Sequence, residues 1–317
     1  MSVGLSNGRL SNSNMPSKSS LVIATIVFPD DSSETNALLL LESIRAFAGS
    51  LSDVEIWCYK PESENEISSK IQARIDKLGV ELIPFEMDSE ICSFPFMRHA
   101  HAATLAESRS KGKFELVAWL APNTLVLQEP SKFILETRIS LGYRPVHHKL
   151  LGLNYDEPLD TFWSAVYEFC GVPEESVFAM KTQVEDLSIR PYFNAGCLVV
   201  RPDKTLLQTW RDAFVGVYQE PVFDRLYRED YRYAIFVHQA ILTGVILAKA
   251  KHDEIEELPA KYNYPLNLYF EDITNNQPQY LEECVTIRHE GFHKDPAWKS
   301  RMPARKALKE WIANVIR

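Results

Sequence analysis

The stretch ELVAWLAPNTLVLQEP (residues 115–130) runs apolar as far as Leu120, breaks at Ala121-Pro122-Asn123 and resumes as Thr124-Leu125-Val126-Leu127. A run this continuous reads as a strand buried on both faces. A buried strand that breaks and restarts at once usually presents something polar at the break. Here the break offers one amide and no carboxylate. Pro and Asn are also turn residues, so a tight turn accounts for the same letters.

Upstream, LVIATIVF (residues 21–28) is a β-branched run ending at Pro29, and ETNALLLLESIRAFA (34–48) has helical composition closed by Gly49. DVEIWCYK (53–60) is a second strand, stopped by Pro61. NEISSKIQARIDKLG (65–79) puts Ile67, Ile71, Ile75 and Leu78 on one helical face and stops at Gly79. VELIPF (80–85) is a third strand, and FMRHAHAATLAESRS (96–110) is a helix leading into the opening stretch. This alternation predicts an α/β chain with a mostly parallel central sheet and helices on both faces. Ligands of such sheets sit beyond the carboxyl ends of strands, where the Ala121 break lies.

The second half is less regular. RPVHHKLLGL (144–153) reads as a strand, PLDTFWSAVYEFCG (158–171) as a helix with a Gly stop, and YFNAGCLVV (192–200) as a strand with a glycine inside. Helices are expected at 205–218, 235–247 and 304–316, with a Pro/Asn-rich loop at 258–267. No internal repeat is visible, and no low-complexity linker follows residue 20. A disordered tail over 1–20 and a single domain over 21–317 are therefore expected.

With 317 residues and 45% hydrophobic content, the chain can bury a large core. A formal net charge of -9 argues against nucleic acid as a partner, since that needs a basic stripe. Cys58, Cys92, Cys170, Cys197 and Cys284 lack metal-ligand spacing and read as reduced, mostly core residues. The amino terminus lacks the apolar segment of a signal peptide, and no run reaches the length of a membrane span. A soluble, cytoplasmic protein is expected. The first strand ends in FPDDSSE, without the glycines of a dinucleotide fingerprint or a P-loop. His99 and His101, two apart on a helix, do not share a face and form no metal pair.

WLAPNTLVL resembles the D-x-D region of nucleotide-sugar glycosyltransferases of the GT-A fold, which typically reads L-D-A-D-T-L-V-L. Four other segments fit in the same order. FMRHAHAATLAE resembles the helix that carries a donor-phosphate lysine, with Arg98 in the lysine's place. YFNAGCLVVRP is similar to the F-N-[AS]-G segment, and HQAIL to D-Q-x-x-L. RHEGFHKDPAW resembles the H-x-x-G-x-x-K-P-W end motif of family 8, the glycogenin-like group. The resemblance implies a nucleotide-binding half over 21–130 and an acceptor and sugar half over 131–317.

In that family the two D-x-D carboxylates and the end-motif histidine hold a metal, usually manganese. Oxygen and imidazole ligands suit such a cation. This chain has a degenerate D-x-D, with Ala121 and Asn123 at the two aspartates and His238 at the aspartate of D-Q. His289 and Asn123 are the remaining metal candidates and make a poor divalent site, so no metal ion is expected. The resemblance then implies a nucleotide diphosphate sugar as donor and a sugar, protein or lipid-linked acceptor. Hexose transfer with retention is the implied reaction. Arg98, Lys294, Asn123, Gly291 and Thr25 are expected around the donor and its phosphates. Asn194 and Gln239 are expected to hold sugar hydroxyls, with His238 near the reacting centre.

Each of these residues has a plainer account. His238 fits a satisfied core histidine, Gln239 a buried amide needing a partner, and Asn194-Ala195-Gly196 a bulge. Arg98 fits a cation reaching solvent from a helix. Loss of three carboxylates also fits a catalytically inactive glycosyltransferase-like binding or scaffold protein. A nucleotidyltransferase is a third, weaker fit, because the Gly-rich opening loop is missing.

Overall fold

The computed structural model describes residues 19–62 and 65–317. Strand β1 (Ser19–Ile26) begins two residues earlier than the expected tail boundary; the rest of that tail, 1–18, lies outside the described residues. Helix α1 (Asp31–Phe47) starts where Asp30 accepts the N–H of Ser33 at 2.9 Å, an N-cap backed by Asp31 and Glu34 in the first turn. The units that follow are β2 (Glu55–Pro61), α2 (Ser69–Lys77), β3 (Glu81–Phe85), the single turn α3 (Ser89–Cys92), α4 (Met97–Ser110) and β4 (Phe114–Leu120). After the break come β5 (Thr124–Val126) and β6 (Leu141–Pro145). Helix α5 (Thr161–Cys170) is capped by Asp160 and ends at Gly171, whose φ of 65° suits glycine.

A two-strand ribbon, β7 (Met180–Lys181) with β8 (Ser188–Ile189), leads into β9 (Phe193–Val200). Three helices follow: α6 (Leu206–Val217), α7 (Pro221–Glu229) and α8 (Arg232–Lys249). The chain closes with β10 (Ile255–Glu257), β11 (Tyr264–Pro265), β12 (Thr286–Arg288), α9 (Trp298–Arg301) and α10 (Lys306–Val315).

Among the described residues, seven strands form the main sheet in the order β10-β6-β9-β4-β1-β2-β3. The neighbours β4-β1, β1-β2, β2-β3 and β6-β10 are parallel, and β9 runs against both β4 and β6. Alternate residues of β1 enter separate cores, as a strand's two-residue period requires. Val22, Ala24 and Ile26 share one core with α4, α5, α6 and α8 on one face. Leu21 and Ile23 meet α1 and α2 on the other. A smaller sheet, β11-β12-β5, lies in a third core with α10.

Two expectations need correction. The strand expected over 144–153 is β6, which starts at Leu141 and ends at Pro145. Beyond it, His147, His148 and Lys149 are polar, and Gly152 turns the chain by bonding back to the Lys149 carbonyl at 2.6 Å. Helix α7 has no counterpart in the sequence reading. It has Pro at its start and buries Phe223 and Leu226, three apart, while most of its other positions are charged. Cys92 and Cys170 are half-buried, whereas Cys58, Cys197 and Cys284 are in the core; all five are free thiols.

Helices α5 and α8 approach closely at Gly244. A Cβ there would lie 2.6 Å from Cys170 Sγ and 2.8 Å from its Cβ. Gly244→Ala should therefore lower the unfolding midpoint. Overpacking costs about 1–3 kcal/mol, against about 1 kcal/mol gained in helix propensity. Urea denaturation measures the balance, and a raised midpoint would show that these helices do not meet there.

Candidate functional site

Beyond the end of β4 lies a cavity of about 380 Å³. Ala121 closes it from below, and its N–H donates to the Gly196 carbonyl at 2.8 Å. The antiparallel direction of β9 brings its beginning, Asn194-Ala195-Gly196, to the same end. Helix α8 contributes Ile235, Phe236, His238 and Gln239, and the start of α4 contributes Phe96 and His99. His147 and His148 arrive from the loop after β6, and Arg288 and Glu290 from the end of β12.

Fixed hydrogen bonds orient the amides. Gln239 Oε1 accepts the Ala195 N–H at 3.1 Å, so the amino end of the amide is a donor. Asn194 Oδ1 accepts the Gly196 N–H at 2.8 Å, and its Nδ2 lies 3.5 Å from His147 Nε2. His238 Nδ1 donates to the Ile235 carbonyl at 2.8 Å, which leaves Nε2 with its lone pair. The His238 ring stacks on Phe96 with centroids 4.2 Å apart. Phe96 has φ 61°, a conformation that costs an aromatic residue energy and that packing on both sides must hold.

The break is fastened from its far side. Asn123 Nδ2 donates to the His289 carbonyl at 2.5 Å, and the His289 N–H donates to the Asn123 carbonyl at 3.0 Å. His289 Nδ1 accepts the Gly291 N–H at 3.2 Å, so its proton is on Nε2, which is buried without a partner. Neither ring nitrogen then offers a lone pair to a metal. Ala121 has no side-chain ligand atom, and Asn123, with Nδ2 bonded to the His289 carbonyl, offers a single neutral amide oxygen. These residues do not fit the manganese that the fold family implies, and no group of three metal-ligating side chains occurs among the described residues.

Counting back from Gly291 and Lys294, the H-x-x-G-x-x-K spacing puts Arg288, not His289, at the histidine position. The structure makes the same distinction, with Arg288 on the cavity lining and His289 absent from it. Arg288 Nε and Nη1 are buried and have no hydrogen-bond partner. Among the described residues, no carboxylate oxygen lies within 4.0 Å of the guanidinium. Nη1 lies over Gly196, where a Cβ would meet it at 2.2 Å. Burial pushes Arg288 below its usual value, with Glu290 acting the other way.

Of the residues singled out in the sequence, Asn194, His238 and Gln239 line the cavity. The others lie elsewhere. Arg98 Nε donates to the Cys92 carbonyl at 3.0 Å, and its guanidinium lies over the Phe28 ring. Lys294 is exposed beside Gly291. Thr25 is buried in β1 with an unpartnered hydroxyl. His99 lines the cavity, whereas His101 pairs with Arg211 at 3.2 Å, so the two histidines do diverge. Sequence reasoning missed the roles of Phe96, His147 and Arg288. For Arg288 the signal was the motif spacing. For His147 it was the paired histidines where the strand stops.

An α/β sheet of this order, with its cavity at the end of the central strands, is the GT-A fold. Residues 24–246 match the Rhodobacterales glycosyltransferase domain, and the chain belongs to that family. No curated protein matches it. Among solved structures, it is similar to an active-site mutant of LgtC, with 16% identity, a TM-score of 0.50 and coverage of 93% of this chain and 94% of that one. That likeness shows the fold. The chain is also similar to the glycosyltransferase GlyE of Streptococcus pneumoniae, with 11% identity, a TM-score of 0.49 and coverage of 94% and 60%. Among the described residues, no helix is long and apolar enough to cross a membrane.

Burial pushes His99, His147, His238 and His289 down from 6.5 to about 3, and Arg288 adds to the effect at all four. Each is neutral in the fold and takes up a proton when unfolded. Their stabilising contribution is complete above pH 6.5 and is lost as pH falls toward about 3. For His238 and His289, both under a tenth exposed, the loss is about 1.4 kcal/mol per pH unit each. Urea denaturation from neutral pH to about pH 5 should show this decline. A midpoint that does not move would mean that the imidazoles are solvated.

Proposed function

We propose that the cavity receives the sugar of a nucleotide diphosphate sugar and that the protein transfers a hexose from it, with retention, to a sugar, protein or lipid-linked acceptor. The observation that carries this reading is the convergence of Asn194, Gln239 and His238 on one lining with Phe96, Trp119 and Trp210. A hexose has hydroxyl edges and apolar faces, and this mixture of amides, imidazole and aromatic rings suits both.

In the transfer, the bond from the anomeric carbon to the diphosphate oxygen breaks and its electron pair stays on that oxygen. The acceptor hydroxyl oxygen bonds the anomeric carbon on the same face. Its proton passes to the departing phosphate oxygen. On this course no separate carboxylate base is required, which accommodates His238 where the resembling family has an aspartate. Negative charge on the leaving diphosphate must still be met by a cation. We propose that protein cations meet it and that no manganese is tightly held.

A second reading, a glycosyltransferase-like binding protein without turnover, is favoured by Ala121, Asn123 and His238 at the three carboxylate positions. Thermal-shift measurements with UDP, GDP and their sugars, in manganese or in chelator, test both. A donor at a hundred times its Kd should stabilise the protein by about 2.7 kcal/mol, a rise of a few degrees, in chelator as well as in manganese. Slow release of nucleoside diphosphate then separates the enzyme from the binder. If no nucleotide sugar moves the midpoint in either condition, the donor site does not exist.

A further inference from the structure

We propose that Arg288 is the cation of this site: its guanidinium binds the diphosphate of the donor and stabilises the charge on the leaving oxygen. This rests on the donor reading above and adds the residue that holds the charge.

Four observations point to an anion at this place. Arg288 stands on the cavity lining with Nε and Nη1 buried and unpartnered. A buried charge without a partner is costly, and burying it is tolerable only where an opposite charge completes it. Among the described residues, the protein supplies no such charge within 4.0 Å. Glu290, the one carboxylate on the lining, is exposed.

Second, the groups around Arg288 are neutral. His99, His147 and His238 share the lining, and each is already disfavoured as a cation by burial and by Arg288 itself. Apart from the exposed Glu290 at the rim, Arg288 faces a wall of neutral imidazoles, amides and aromatic rings. Third, Gly196 has no side chain where one would strike Nη1. The missing Cβ is the room in which the guanidinium lies. Fourth, Arg288 pairs in register with Thr124, directly after the break. It therefore emerges beside the residues that would otherwise carry metal-binding carboxylates. A planar fork of N–H donors matches two phosphate oxygens at once.

Calorimetry in EDTA with UDP, GDP, the matching nucleosides and inorganic pyrophosphate tests the assignment. The unaltered protein should bind a nucleoside diphosphate without metal. Arg288→Gln should weaken that binding about 10- to 100-fold, the scale of a lost charged hydrogen bond, and leave nucleoside affinity unchanged. Gly196→Ala is the second variant. The hard clash, at 2.2 Å, is with the far end of the flexible Arg288 side chain, with Asn194 Oδ1 at 3.1 Å, so the fold should survive, as a cooperative urea transition would show, while the guanidinium is displaced and diphosphate affinity falls in the same way. If both variants bind the diphosphate as well as the unaltered protein does, Arg288 is not the cation, although the donor site stands. Binding by the unaltered protein only when manganese is present also overturns the assignment and leaves the donor site standing. If it binds no nucleoside diphosphate in either condition, the donor reading itself falls.

Discussion

Asn123 and His289, 166 positions apart, exchange two hydrogen bonds that tie the turn after β4 to the loop after β12. The neighbouring register, Arg288 opposite Thr124, follows from the same clamp. On the other side of the turn, the Ala121 N–H is held by the Gly196 carbonyl. The floor of the cavity is thus gripped from two directions. The small sheet β11-β12-β5 exists to make this junction, and it sits on its own core of Leu38, Leu39, Tyr264 and Ile312. The Asn123 Nδ2 is taken up by the junction.

The electrostatics of the site follow from that arrangement. Imidazoles packed this deeply stay uncharged, since burial removes the water that would stabilise a proton. One guanidinium among them sits in a medium of low dielectric, where its field reaches further than it would in water. A divalent ion brings twice the charge but needs several acidic ligands to stay in place. Arginine brings one charge, a fixed direction and no requirement for ligands. The aromatic stack of Phe96 on His238 keeps one wall rigid, at the expense of a left-handed backbone at residue 96.

Much of the frame was legible in the letters. Strands β1, β2 and β4 are buried on both faces, so each is a near-continuous apolar run, and Gly79 and Gly171 mark helix ends by the conformation they adopt. β6 was misplaced because its apolar content overlaps a polar loop, and its true start at Leu141 follows a segment without strand character. Helix α7 escaped because only Phe223 and Leu226 of it are buried. Within the site, Asn194, His238 and Gln239 could be picked out as polar letters inside apolar segments. Arg98 and Lys294 stand out by their positions in the resembling motifs, and a motif position does not say where a long side chain points. Arg288 is the first letter of the end-motif segment RHEGFHKDPAW, and its place is not legible there. That place depends on a one-residue shift against His289, and on a glycine far earlier in the chain, Gly196.

The cavity has no local part. Its wall is drawn from α4, the end of β4, the loop after β6, the beginning of β9, helix α8 and the end of β12. Bringing such distant segments together costs loop-closure entropy that neighbouring contacts cannot offset. During synthesis, the strands from β1 to β4 can pair long before the segment bearing Arg288 has left the ribosome. The cavity therefore stays open on one side until that last segment docks.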